Sequence, residues 1–237
     1  MLKKGKFDEA KQLEEKLRSL ILKCEDVSAE EVTQIAENMS AAQKQESFVV
    51  FGAAAILTER MGNCEDRIRT LEKCIYGMKR SSKVLIEGRS FSSSLKAIIK
   101  DYVIPLMMLN LEKMESMPEV DTDVKCLQVC WGRHHISYTY YLCGERLKEK
   151  EALEQATNIM EKHFQDNVKK HGRLYGMLLN NVGAACEHQK EFKEAAKYYK
   201  KSIVLTKKAK DYTDELEREN DIKSRKQHLE KVKRIKK

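Results

Sequence analysis

The sequence predicts an all-α protein made of short antiparallel helix pairs stacked side by side, followed by a charged helical extension. Composition is the first reason. With 2 prolines and 10 glycines in 237 residues, there is little material for the turns of a β-rich fold, and good helix formers (Ala, Leu, Glu, Lys, Gln) dominate. The second reason is the stretch Leu178–Lys207, which reads as two helices joined by a tight polar turn. Leu179, Val182, Gly183 and Cys186 fall at helical spacing on one side, and Phe192, Ala195, Tyr199 and Ser202 on the other. The third is that a pair of this size cannot bury its apolar stripe alone and so demands neighbours of the same kind.

The elements follow in order. Residues 1–26 form an amphipathic helix with Phe7, Ala10, Leu13, Leu17 and Leu20 or Ile21 on its stripe. Gly5–Ala10 has the look of the turn and second-helix start of a repeat lacking its first helix, which would make residue 1 an internal start. An ordinary N-terminal helix is the other reading. Ser28 and Glu31 make a capping box for a helix to about Gln43. Glu46–Met61 places Phe48, Phe51, Ala54, Ala55 and Thr58 on one face, and Gly62-Asn63 breaks it. The return helix, Cys64 to about Arg80, buries Ile68, Leu71, Cys74 and Ile75. Ser81-Ser82 and Gly88–Ser94 are expected to be polar loop. Leu95–Met117 is a strongly apolar helix that Pro105 should kink or split near Ile104. Val124–Leu147 is a helix with Trp131, Tyr138, Tyr141 and Leu142, and Glu149 to about Lys169 pairs back through Ala152, Ala156, Ile159 and Met160. His171-Gly172 breaks the chain before the Leu178–Lys207 pair.

Two regions are expected: a helical domain over 1–206, with a sub-boundary near 118–122, and a charged helical tail over 207–237. The formal charge is +8. From Lys200 onward 14 basic side chains face 7 acidic ones, so the tail carries most of the excess. Seven cysteines, odd in number and without a CxxC pair, suit a reducing compartment and buried thiols. The start lacks the apolar run of a signal peptide, and no run of 18 uncharged apolar residues occurs. A cytoplasmic location is therefore expected.

On Leu179, Val182-Gly183, Cys186, Ala195, Tyr199 and Ser202, the stretch Leu178–Lys207 resembles a tetratricopeptide repeat (TPR). The unit is about 34 residues long in that family. Gly183 and Ala195 stand where small residues let paired helices approach, and Lys207 stands where the family has a Pro. A weaker copy places Cys143, Ala152, Ala156 and Ile159 in the same slots, and Ala152 to Ala195 is an offset of 43 residues. With Asn180-Asn181 in the first helix, this spacing is similar to the repeats of kinesin light chains. A third copy fits Phe51, Ala54-Ala55, Thr58, Gly62, Leu71 and Cys74, with Arg67 misplaced in a small-residue slot. Leu95–Met117 matches no slot well. The resemblance implies a TPR-like α-α superhelix, a right-handed solenoid whose first helices line a concave groove.

On that resemblance the groove candidates are Met177, Asn180, Asn181, Ala184 and His188, with His134, Ser137 and Tyr141 in the preceding unit. An Asn amide suits the backbone of an extended peptide, and Tyr141 offers a flat apolar face with a polar tip. The competing reading of Asn180 and Asn181 is a bond to a neighbouring helix. Cys126, Cys130 and His134, at i, i+4 and i+8, could face one metal, but no second ligand pair appears at zinc spacing, so buried thiols are the better reading. His134-His135 with Cys143 lacks an orienting acid for thiol catalysis. Met107, Met108, Met114 and Met117 are read as core, with an adaptable surface as the alternative. The tail is a solvated, frayed extension or a basic arm for nucleic acid or an anionic surface. It has no aromatic beyond Tyr212 for base stacking. The expected function is a non-enzymatic scaffold or adaptor that binds a protein or peptide partner, with basic groups favouring an acidic one. No catalytic residue, metal, cofactor or small-molecule substrate is expected.

Overall fold

The computed structural model describes residues 4–21, 27–42, 47–62, 64–87, 93–118, 121–164 and 170–235. Among these every regular element is helical, and none is a strand. The chain divides into two compact units, Met1–Glu145 and Arg146–Lys237.

The first unit contains α1 (Lys4–Ile21), α2 (Ala29–Ala41), α3 (Ser47–Leu57), α4 (Glu65–Glu87), α5 (Ser93–Ile98), α6 (Ile104–Glu115) and α7 (Thr122–Cys143). Helix α2 starts at the expected capping box: the Glu31 N–H donates to Ser28 Oγ (3.2 Å) and the Ser28 N–H to Glu31 Oε2 (2.9 Å). Helix α3 closes in a 3₁₀ turn, Thr58–Met61, and reverses at Gly62. It returns antiparallel on α4, with Ser47 Oγ 2.6 Å from Ser81 Oγ and the Phe51 ring lying where a Gly77 side chain would stand. Ser81 and Ser82 are therefore helical, not loop. They are fully buried, and their hydroxyls donate to the carbonyls of Gly77 and Met78. A hydroxyl that bonds back to its own helix can enter a core, which a reading of serine as a turn former overlooks. Residues 88–92 of the expected loop, Asn63 and Cys24 lie outside the described residues, as do the side chains of Phe7, Ala10, Leu13 and Leu20.

Pro105 acts where it was expected to. It has no N–H for the carbonyl four residues back, and the helix accommodates it with a π turn, Ile99–Val103, before restarting as α6. Helix α6 packs antiparallel to α7: Leu111 lies against Gly132, and Thr139 Oγ1 is 3.7 Å from the Met107 sulfur. Helix α7 begins on an Asp121 cap and ends at Gly144, whose φ of +79° is the left-handed stop glycine adopts without strain. The expected continuation to Leu147 is thereby cut short. Helix α3 and its 3₁₀ turn run alongside α6 in the same direction, with Leu106 beside Gly52 and Lys113 Nζ 3.5 Å from Glu59 Oε1, which makes α7 parallel to α4. Ile75 against Gly132 and a 2.9 Å contact between Glu72 Oε1 and His135 Nε2 bridge the two.

The second unit contains α8 (Arg146–His163), α9 (Gly172–His188), α10 (Phe192–Lys208) and α11 (Glu215–Ile235). Every residue that carried the repeat pattern of α9 and α10 is buried: Leu179, Val182, Gly183, Cys186, Ala195, Tyr199 and Ser202. A Cβ on Gly183 would stand 2.7 Å from the Tyr199 ring, so the glycine is what lets the antiparallel pair close. Tyr199 packs on Gly183 in its own pair and against His228 of α11, and its hydroxyl donates to Glu187 Oε2 (3.0 Å). Alternate helices run parallel. Helices α8 and α10 are tied by Lys150–Glu191 and Lys201–Glu161, and α9 and α11 by Arg173–Glu217 and Lys231–Glu187.

The charged tail is not a frayed extension. Helix α11 lies antiparallel on α10, buries Arg225, Leu229 and Val232, and sets the His228 ring 5.4 Å from that of Tyr199. Arg225 enters because α9 offers no side chain at Gly176, and it donates to Asp221 Oδ2 (2.8 Å), which also accepts from the Tyr212 hydroxyl (2.6 Å). The side of α11 turned away from α10 exposes Lys223, Gln227, Glu230 and Arg234.

Candidate functional site

The most distinctive surface of the first unit is an aromatic ladder spanning the parallel helices α4 and α7. The core side of α4 is set by Leu71, Cys74, Ile75 and Met78, all fully buried. That spacing turns Tyr76 outward, where it is 41% exposed. On α7, the burial of Val129, Cys130, Ile136 and Tyr140 turns Trp131, His134, Tyr138 and Tyr141 the other way. Tyr141 is 36% exposed and stacks on Tyr138 at 5.9 Å between centroids. Tyr76 lies 5.1 Å from His135, which stacks on Trp131 at 5.9 Å. Lys79 completes the surface: its ammonium lies 4.3 Å above the Tyr76 ring and 5.5 Å from that of Tyr138.

The electrostatics of this face are one-sided. Arg69, Lys73, Arg80 and Lys83 are exposed on α4 around Tyr76. Of the acids nearby, Glu65 pairs with Arg69 and Glu72 faces His135. Lys79 has no carboxylate within ion-pair distance among the described residues. Burial, then the charges of Arg80 and Lys83, push its pKa down. Beneath the rings the two histidines are neutral. Burial, then His135 and Lys79, push His134 down to about 3, and burial lowers His135 against the pull of Glu72.

Of the three groove candidates on α7, Tyr141 is on this face. His134 is half covered, its Nδ1 buried without a hydrogen-bond partner, and its ring packs edge-on to Trp131. Ser137 is buried, and its hydroxyl donates to the His134 carbonyl (2.7 Å). Tyr76 and Lys79 were missed because α4 was judged by its core stripe. Their spacing with Lys83 along the opposite face was the available signal.

The five candidates of the second unit lie on α9. Met177, Asn180, Asn181 and Ala184 are half-buried and His188 is exposed. Asn180 Nδ2 reaches Asn181 Oδ1 at 3.5 Å, while Asn180 Oδ1 is buried with no hydrogen-bond partner. His188 Nδ1 lies 3.7 Å from Glu149 Oε1, whose other oxygen accepts from Arg146 (3.1 Å); burial raises the Glu149 pKa.

The thiols are poorly placed for nucleophilic chemistry. Burial pushes Cys74, Cys130 and Cys186 up to about 12 and Cys143 to about 11. Among the described residues no group of His, Cys, Asp and Glu side chains is arranged to hold a metal ion, and no helix is long and apolar enough to cross a membrane. No model of a known protein family matches this chain, and no curated protein matches it.

Proposed function

We propose that this chain is a non-enzymatic interaction scaffold of TPR-type helix pairs, which holds a peptide segment or partner helix against the aromatic face of α4 and α7. The observation that carries the reading is the row of Tyr76, Tyr138 and Tyr141 half open to solvent around Lys79, which has no carboxylate within ion-pair distance among the described residues. Aromatic side chains in half-desolvated positions supply most of the binding energy at protein interfaces, at low entropic cost. The repeat assignment is supported by the second unit. Its parallel helices are joined by ion pairs 40 to 44 residues apart, close to the 43-residue offset between Ala152 and Ala195.

Selection of short random peptides on the purified full chain tests the reading. Enriched peptides should lose at least about tenfold in affinity for the Tyr76→Ala, Tyr141→Ala double variant, since truncating two anchors removes more than about 1.4 kcal/mol. Peptides that bind both proteins equally would place the interaction elsewhere. Failure to enrich any peptide would remove the reading.

A further inference from the structure

We infer that the segment recognised by the α4–α7 face is proline-rich and extended; this rests on the peptide-binding reading above and names the partner's chemistry. The polar groups offered by the face are chiefly donors. The Lys79 ammonium and the Trp131 indole N–H can only donate, and the phenols of Tyr76 and Tyr138 donate readily. Within the described residues Lys79, Trp131, Tyr76 and Tyr138 make ring contacts but no hydrogen bonds. Of the carboxylates near the face, Glu72 is engaged by His135 and Glu65 by Arg69.

A polyproline II chain is the converse. Its carbonyl oxygens all point out unbonded, each the negative end of a peptide dipole, and its prolines carry no N–H that would need an acceptor. Charge complementarity is therefore met along the whole strip without any charge on the ligand. The α7 part of the strip, Trp131, Tyr138 and Tyr141, has no basic residue of its own, so an ordinary acidic peptide would find cations only along α4.

Spacing agrees. Trp131 and Tyr138 are two helical turns apart, about 10.5 Å along α7, and a polyproline II helix repeats every ~9.3 Å. A proline ring on Trp131 thus returns near Tyr138 one ligand turn later. Such a ligand is also already ordered, so little conformational entropy is lost on docking.

Trp131 is the single tryptophan of the chain and reports from one end of the ladder, where its ring stacks on His135. Its fluorescence should change saturably when the full chain is titrated with a blocked, uncharged peptide of mostly proline with one or two leucines, about nine residues or ~28 Å long. The midpoint should move little between low and high salt, because the ligand is neutral. Tyr138→Ala should weaken it at least tenfold, with far-UV circular dichroism unchanged. A blocked Asp-rich Gly/Ser peptide of equal length is the contrast. Saturation by the acidic peptide alone overturns the inference and leaves the binding surface standing. No saturation by the proline peptide up to about 1 mM, a binding free energy weaker than about −4 kcal/mol, or full binding to the Tyr138→Ala variant, also overturns it. The random-peptide selection then judges the surface independently.

Discussion

His134 occupies a place where an imidazole is neutral. An unfolded histidine titrates near 6.5, and the folded one is held down to about 3 by burial and by the charges of His135 and Lys79. The folded pKa is the lower one, so below about pH 6.5 the unfolded chain takes up a proton that the folded chain refuses. Stability then falls as pH drops from about 6.5 towards 3, by about 1.4 kcal/mol per pH unit for one such group. His135, also lowered, adds to the slope. Denaturant melts at pH 7 and pH 5.5, above most carboxylate titration, should show this loss, and His134→Asn should make it shallower. Equal losses in the two proteins would mean that the ring is not shielded as described.

At the scale of the element, helix pairs were legible wherever apolar residues kept one unbroken spacing. Helices α9 and α10 are the case: of the residues chosen by spacing all are buried except Phe192, which is half-buried. The α5–α6 stretch fitted no slot, and the π turn at Ile99–Val103 gives the physical reason. A wider turn adds a residue without a full rotation, so every later side chain is rotated by roughly 100° relative to a template of fixed spacing. Helix α11 was illegible for another reason. Its docked face is built from Arg225, His228, Leu229 and Val232, and sequence patterning assigns the first two to solvent. With three buried residues in 21, α11 is held chiefly by Arg225, Leu229 and Val232, and the solvent-accessible ion pairs Arg173–Glu217 and Lys231–Glu187 add little. Leu229→Ala is expected to cost about 2 kcal/mol. Hydrogen exchange should show it as faster exchange of the α11 amides, with α4 and α7 unchanged. Protection lost evenly along the chain would argue against a locally docked helix.

For the molecule as a whole, composition and helical spacing were enough to give the all-helical class, because few prolines and glycines leave few other choices. The ladder of Tyr76, Lys79, Tyr138 and Tyr141 was only half legible. Spacing shows what turns inward on one helix, whereas the ladder depends on α4 and α7 lying parallel, which no local pattern encodes. The expectation of buried thiols is checked by labelling. Cys74, Cys126, Cys130, Cys143 and Cys186 are buried, and Cys64 is half-buried. Of the seven cysteines, five should react with a thiol reagent only as fast as their unit unfolds. More than two fast-reacting thiols in the native protein would contradict this packing.

The seat of Arg225 at Gly176 ties two distant positions together. One supplies a notch cut in a helix backbone and the other the peg that fits it. A methyl group at 176 would expel the guanidinium, and a short side chain at 225 would leave a hole. Neither residue is free to drift alone, so in any lineage of such sequences these positions are expected to change as a pair.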